Sequence, residues 1–369
     1  MTRTVLDVHI IQTLPPSNVN RDESGSPKTA IYGGVRRARV SSQAWKRAVR
    51  LDFDKHLDSS LLGERTKRVG EAIAARIQAI DPGLKEQAPT LASGVLKAAG
   101  LLKKETKGAE GEIGYLLFLS HRQQDNLARE AVEAHHAGRA PNAAEVKKLA
   151  NTDHSIDIAM FGRMVADVTD INVDAAVQVA HALSVHAVDN EFDYYTAVDD
   201  RKHDAQETGA GMIGTIEFNS STLYRYATVD VDRLHETLGD PAATRQAVEA
   251  FLSAFATSMP SGKRNTFANG TRPDAVMVRL RDTQPINLVG AFEEPIRQEQ
   301  SGRVPAAAAA LAAYTTEVEQ AYGDHAVASW VTHVGTRTQA LAPLGTVLPL
   351  PELISAVGKQ ITDRIGTDA

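Results

Sequence analysis

The hydrophobic pattern opens as a strand. Leu6, Val8 and Ile10 alternate with Asp7, His9 and Ile11 at period two. A Pro-Pro and a polar loop from Ser17 to Lys28 follow, and Ile31 to Val35 carries a second short strand. Ser41 or Ser42 is a good N-cap for the first helix. From Ser59 to Ala180 the chain reads as almost wholly helical, with Val69, Ile73 and Ile77 at helical spacing and polar breaks at Lys103 to Glu112 and Gly138 to Asn142. The last of these helices takes in Ala175, Val179 and Leu183 and runs on to Val188. Glu191 to Val198 and Met212 to Phe218 are β-prone around a polar tip, which predicts an extended hairpin; ten residues per arm would reach about 33 Å.

The final third alternates. Asp240-Pro241 starts a helix whose Val248, Phe251, Leu252 and Phe255 face inward. Ala275 to Leu280 and Ile286 to Phe292 are predicted strands, Pro305 to Ala321 a helix, Ala326 to Val334 a strand, and Pro351 to Ile365 a last amphipathic helix. Strands at both ends with helices between them predict an α+β sheet of RRM type, with the helical block inserted. No internal repeat is present.

Composition narrows the function class. The chain has 369 residues, 43% hydrophobic and 23% charged, as expected of a globular protein with one large or two ordinary domains. No run of about 18 apolar residues predicts a membrane span. The start, Met1 to Asp7, lacks an apolar signal core, so no secretory signal is expected. Zero cysteines excludes disulfides and thiolate metal sites and fits a cytoplasmic location. Net charge is −6, yet Asn20 to Arg50 carries eight cations (Arg21, Lys28, Arg36, Arg37, Arg39, Lys46, Arg47, Arg50) against Asp22 and Glu23. That stretch is therefore +6 and the remainder −12. A basic patch on an acidic body suits a protein that grips a polyanion at one place; a merely solvated basic surface is the alternative.

Three segments carry candidate chemistry. In the helix after Ser42, Gln43, Lys46, Arg47 and Arg50 fall at i, i+3, i+4 and i+7, one polar stripe without an acid until Asp54. Ala44, Trp45, Ala48 and Val49 form the opposite, core-facing stripe, and the helix start offers unpaired N–H groups to phosphate. Pro260-Ser261-Gly262-Lys263-Arg264-Asn265 joins a glycine to two cations and an amide; it is not a P-loop. Met160-Phe161-Gly162-Arg163-Met164 could set a Met and an Arg against bases, or simply pack in the core.

Catalytic patterns are weaker. His135-His136 reads as solvated surface, His181 and His186 are five apart, and no His-Glu-x-x-His occurs. Gly209-Ala210-Gly211 is a turn signal. Asp199, Asp200 and His203 form the one cluster open to metal or acid–base work, on a hairpin tip poorly suited to holding catalytic geometry.

With these segments in hand, the sequence resembles the backbone subunit of the type I-E CRISPR complex Cascade, the CasC family. The matching stretches are Asn20 to Asp22, Gly33 to Arg47, Phe161 to Met164, Glu191 to Asp200 and Pro260 to Lys263, in the family's order across nearly the whole chain. The resemblance implies an α+β, hand-shaped molecule. Its modified RRM (ferredoxin-like) palm would comprise residues 1–58, 181–192 and 223–369, with helical fingers at 59–180 and a β-hairpin thumb at 193–222. It implies a non-catalytic subunit without cofactor or metal that binds guide RNA (crRNA). About six copies would stack along one RNA as a helical filament, and target DNA would meet the protein through the guide. Partners would be the large subunit, the small subunit, CasD and CasE. Carried over by position, the RNA grip falls on Arg21, Lys28, Ser41, Gln43, Lys46, Arg50 and Lys263. Arg36, Arg37, Arg47, Arg163, Arg264 and Asn265 stand beside them, with Met164 as a base wedge. Thr196, Asp200, Thr208 and Met212 would belong to the thumb. Some related subunits cut RNA with an aspartate, so a metal-dependent ribonuclease using Asp199 or Asp200 is the alternative.

Overall fold

The computed structural model describes residues 3–102, 115–165, 168–196, 213–297 and 302–366. In chain order the first elements are β1 (Val5–Ser17), β2 (Thr29–Tyr32), β3 (Val35–Val40) and α1 (Ser42–Asp52). Then come β4 (Gly63–Thr66), α2 (Val69–Ile80), α3 (Ala88–Ala98), β5 (Leu117–Ser120), α4 (His121–His136), α5 (Ala143–Leu149) and α6 (Ile156–Phe161). They are followed by β6 (Val177–Val179), β7 (Ala182–Ser184), β8 (Glu191–Thr196) and β9 (Ile213–Asp230). The rest are α7 (Val231–Leu238), α8 (Pro241–Thr257), α9 (Arg264–Phe267), β10 (Ala275–Arg281), α10 (Arg303–Tyr322), β11 (Ala328–His333), β12 (Thr346–Val347) and α11 (Leu350–Ile365).

Ten of the strands form one sheet in the order β12-β11-β10-β1-β9-β7-β3-β2, with β6 and β8 also paired to β9. Every pairing in it is antiparallel except β11 with β12. β1 lies at its centre, and the period-two pattern now has a cause on each face. Leu6, Val8 and Ile10 enter a core with Phe251, Phe255 and Val248 of α8 and Leu353, Val357 and Ile361 of α11. Ile11 packs on the other face with Ala307, Ala308 and Leu311 of α10. Asp7 and His9 share that covered face, so both are buried rather than solvated. Asp7 accepts from Tyr226 Oη at 2.7 Å, and from Arg281 Nε and Ile286 N at 3.0 Å each. Such satisfaction is what permits a carboxylate inside a sheet core.

A separate core joins α2, α3, α4 and β5 through Ile73, Ile77, Val95, Leu117 and Leu127. This region is not wholly helical as the pattern predicts, because β4 pairs β5 antiparallel from Gly63↔Ser120 to Thr66↔Leu117. The predicted helix over Ala175 to Val188 is also corrected. Those residues form β6 and β7, both hydrogen-bonded to β9 (Val177↔Val229, Leu183↔Tyr224). The long β9 edge overrides a helical spacing that rests on only three apolar positions. Ile286 to Phe292 is not a strand either. Asn287 caps a 3-10 turn at Leu288–Phe292 by accepting from Val289 N at 3.1 Å. α7 was not anticipated; Asp230 caps it by accepting from Arg233 N. β8 and the start of β9 pair from Glu191↔Phe218 to Thr196↔Ile213, and β9 then continues unbroken into the sheet.

The turn from β2 to β3 needs both of its glycines, for different reasons. Gly33 (φ +58°) lies so close to Glu293 that a Cβ would sit 1.7 Å from its carbonyl oxygen, whereas Gly34 (φ +76°) has open space around it. Gly34→Ala should therefore lose only the left-handed backbone preference, about 1–2 kcal/mol. Gly33→Ala should lose distinctly more, because backbone must move. Urea melts of the two variants check this; equal losses would contradict the packing of residue 293 on the turn.

Candidate nucleic-acid interface

The interface is built outward from one buried cation. Trp45 is the first core residue of α1, and Arg225 of β9 lies beneath it, its Cζ 3.6 Å from the indole centroid and 4.5 Å from the Phe255 ring. Arg225 donates to Gln12 Oε1 at 2.5 Å and to the Phe255 carbonyl. Burial pulls its pKa down to about 9. It has no carboxylate partner among the described residues. Cation–π contacts of a desolvated guanidinium contribute about 2 kcal/mol or more each, so this sandwich fixes the rotation of α1.

That rotation differs slightly from the two predicted stripes. Trp45, Val49 and Phe53 face inward and are buried. Gln43 and Arg47 are fully outward, while Lys46 and Arg50 are half-buried on the flank. Desolvation lowers the pKa of Lys46, and of Arg50, which also feels Asp157, Arg65 and Arg47. Arg50 lies 5.7 Å from the Phe118 ring. Ala44 and Ala48, predicted to face the core, are instead half-buried beside it. Their small side chains leave a groove of about 430 Å³. Its walls are Ala44, Arg47, Ala48, Leu51, Asp52 and Lys55 on the α1 side and residues 257–262 with Arg264 on the other.

The start of α1 is less open than the sequence implies. Ser41 is the N-cap, and its Oγ accepts from Ala44 N at 3.2 Å. Ser41 is buried, and its own N–H donates to Asn20 Oδ1 at 2.8 Å. Ser42 N donates to His181 Nδ1 at 3.0 Å. His181 thus serves as a helix cap, which its sequence context did not reveal. Its pKa is lowered by desolvation and by Arg39 and Lys28. Arg21 and Arg36 are exposed and Lys28 is half-buried. Arg39 is partly engaged, donating from Nε to Thr29 O at 3.2 Å.

The second wall is the loop between α8 and α9. Gly262 presses on residue 19 so closely that a Cβ would lie 2.3 Å from Val19 O. Lys263 then takes a left-handed conformation (φ +49°), as does Ala268 (φ +45°), so both ends of the four-residue α9 are bent. Left-handed backbone at a non-glycine residue costs about 1–3 kcal/mol and clusters at functional sites. Arg264 and Asn265 are exposed and Lys263 is half-buried. The structure thus brings Arg47 and Arg264 to opposite sides of one groove.

Two predicted contacts are corrected. Arg37 is fully buried and donates to four backbone carbonyls, those of Tyr32, Ser184, Phe292 and Glu293. Arg163 is buried as well, donating to the carbonyls of Ile171, Phe118 and Ala150 and to the side chains of Gln123 and Asn151. Each guanidinium is spent on tying chain segments together and faces no solvent. Its neighbour Met164 is 84% exposed, which excludes the core-packing alternative for that residue. Thr196 is exposed at the end of β8. Asp199, Asp200, His203, Thr208 and Met212 lie outside the described residues. Sequence reasoning also missed Arg65, an exposed cation whose charge acts on Arg50. β4 carries too little pattern to reveal it, since its partner β5 is about fifty residues away. Among the described residues no group of three or more acidic, His or Cys side chains could hold a metal. No described helix is long and apolar enough to cross a membrane.

The profile of the CT1975-like protein family matches residues 6–356. No curated protein matches the chain. Among solved structures, a chain of a "CRISPR RNA-guided surveillance complex, pre-nicking" is 35% identical with a TM-score of 0.85, covering 97% of this chain and 100% of that one. A chain of a "CRISPR RNA-guided surveillance complex" is 31% identical with a TM-score of 0.75, covering 96% of this chain and 99% of that one.

The division between buried and exposed arginines is measurable. Arg37→Met and Arg163→Met should each lower stability by several kcal/mol, because each strands carbonyls that are now satisfied (about 1–3 kcal/mol per buried group). Arg47→Ala should leave the urea midpoint nearly unchanged. A large loss for Arg47→Ala, or none for Arg37→Met, would contradict the assignment. Lys263→Gly separates two roles at one position. It should hold or raise stability by relieving the left-handed residue, while flattening the log–log salt dependence of RNA binding by about 0.7, the value for one single-strand phosphate contact. An unchanged salt slope would remove Lys263 from the interface.

Proposed function

The chain belongs to the CT1975-like protein family, and from that premise we propose that it is the guide-RNA-binding subunit of a CRISPR surveillance complex of the type I-E Cascade kind. The observation that carries this reading is its likeness, over nearly its whole length, to chains of CRISPR RNA-guided surveillance complexes. The exposed or half-buried cations of α1 (Lys46, Arg47, Arg50) and of the 263–265 loop (Lys263, Arg264) support it, since no aromatic residue stands beside them in the polar stripe or the loop. Phosphate contacts position a strand, and pairing between guide and target reads sequence. In this reading the large sheet with its flanking helices is the palm, the α2–α5 block the fingers, and the β8–β9 ribbon the base of a thumb that reaches a neighbouring copy. Copies repeat head to tail along the RNA. Contacts of that kind that do not close give open helical arrays whose length the template sets. The subunit holds RNA and performs no chemistry on it.

The test is mass measurement of complexes assembled on RNAs of increasing length. Mass should rise in equal steps of one 39.7 kDa subunit per fixed increment of RNA. A constant mass, or a closed ring without RNA, would overturn the reading. Labelled RNA incubated with the protein and a divalent metal should remain intact. Cleavage that disappears in Asp200→Ala would favour a ribonuclease instead.

A further inference from the structure

We propose that the groove between α1 and residues 257–264 is a nucleobase site, which takes one base of the bound strand while Arg47 and Arg264 hold the phosphates on either side of it. The proposal rests on the RNA-binding reading above and adds an occupant to a feature that a phosphate track does not need.

Three observations carry it. First, the groove is built by sequence. Ala44, Ala48, Leu51, Asp52 and Lys55 follow one helical stripe, and the two alanines are what keep it empty beside the large Trp45 and Val49. At about 430 Å³ it falls in the range of small-ligand clefts, roughly 300–1,000 Å³. Second, its lining is mixed in the way a base requires. Leu51 is 49% exposed, an apolar side chain without a cover, facing Val19, Met259 and Pro260. Among these apolar groups Ser258 is only 8% exposed, and its Oγ has no hydrogen-bond partner. That oxygen lies beneath the groove surface, so the polar group a ring edge can reach is the exposed hydroxyl of Ser261 in the same lining. Third, the charges are complementary to a nucleotide strand. The lining carboxylate, Asp52, is already paired with Lys55 and with His56 Nε2 at 3.0 Å. Arg47 and Arg264 make no ion pair among the described residues and stand at the rim.

The groove is also rigid where it must be. The Met259 sulfur accepts from Gln12 Nε2 at 3.3 Å and from Thr271 N at 3.4 Å, and Arg225 donates to Gln12. The same arginine therefore sets both walls, α1 through Trp45 and the loop through Phe255 and Gln12. A cleft held open in the free protein binds without the cost of ordering itself.

The experiment compares single-stranded RNA with the same RNA carrying scattered abasic sites, titrated over a salt series with the full chain. Two variants are used. Ala48→Phe fills the groove, and Leu51→Ser removes its exposed apolar wall at a position the fold does not need. Each should weaken binding of normal RNA by about tenfold, leave the salt slope unchanged, and have little effect on abasic RNA. RNA containing 4-thiouridine, irradiated in the complex, should crosslink within residues 257–262. Normal and abasic RNA bound equally by wild type and both variants, with Arg47→Ala still flattening the salt slope, would overturn the base site and leave the RNA-binding reading standing. Crosslinks confined elsewhere would do the same. A chain that binds no RNA at all would overturn both, and a groove shielded instead by a protein segment in the assembled complex would overturn the base site alone.

Discussion

Arg225 is the constraint on which the rest depends. A guanidinium buried against an indole and a phenyl ring, with no carboxylate partner among the described residues, is held by geometry more than by charge. It is also costly to place, because desolvation opposes its charged form. The return is that three distant parts of the chain, β1 through Gln12, α1 through Trp45 and the end of α8 through Phe255, share one anchor. Move it and both walls of the groove move together. This is how a sheet whose two faces are covered by helices still presents an ordered basic surface at one end.

The remaining arginines divide by what surrounds them. Arg37 and Arg163 face carbonyl oxygens, which accept hydrogen bonds but carry no full charge, so they act as multi-pronged staples. Arg279 and Arg281 belong to a buried network with Glu319 and Asp7 on the opposite face of the sheet. The cations proposed to meet RNA are a smaller set that stays exposed or half-buried: Arg21, Lys28, Arg36, Lys46, Arg47, Arg50, Arg65, Lys263 and Arg264, with Gln43 and Asn265 beside them. An acidic chain with such a set can bind RNA locally without binding it everywhere, since charges beyond about 10 Å are screened at ordinary salt.

Local chemistry was legible and distant pairing was not. Ser41 was readable as a cap because the cap is a local hydrogen bond, α8 and α11 because amphipathic spacing is local, and α10 because an alanine-rich run favours helix on its own. The 175–188 segment misled because its identity as strands depends on pairing with β9 from Val177 to Val229 and from Leu183 to Tyr224, far along the chain. Arg36 and Arg37 are adjacent and chemically identical; as neighbours in β3 they point to opposite faces, and Arg37 is the one that the carbonyls of residues 184 and 292–293 enclose. The stripe of Ala44 and Ala48 was read as core because alanine is small and apolar. Whether a small residue fills a core or leaves a groove is decided by what packs opposite, here the 257–262 loop. The basic helix and the family resemblance were visible in the sequence, whereas the groove and the Arg225 anchor required the fold.

One face of this molecule, centred on α1 and the 257–265 loop, is proposed to hold the strand, while the buried arginines build the frame. Covalent footprinting of lysine and arginine side chains, read by mass spectrometry with and without bound RNA, addresses it residue by residue. The expected result is RNA-dependent protection of Lys46, Arg47, Lys263 and Arg264, with Arg37 and Arg163 unreactive in both states. Protection centred on the cations of α3 to α5, with α1 and the loop as reactive as in the free protein, would contradict it.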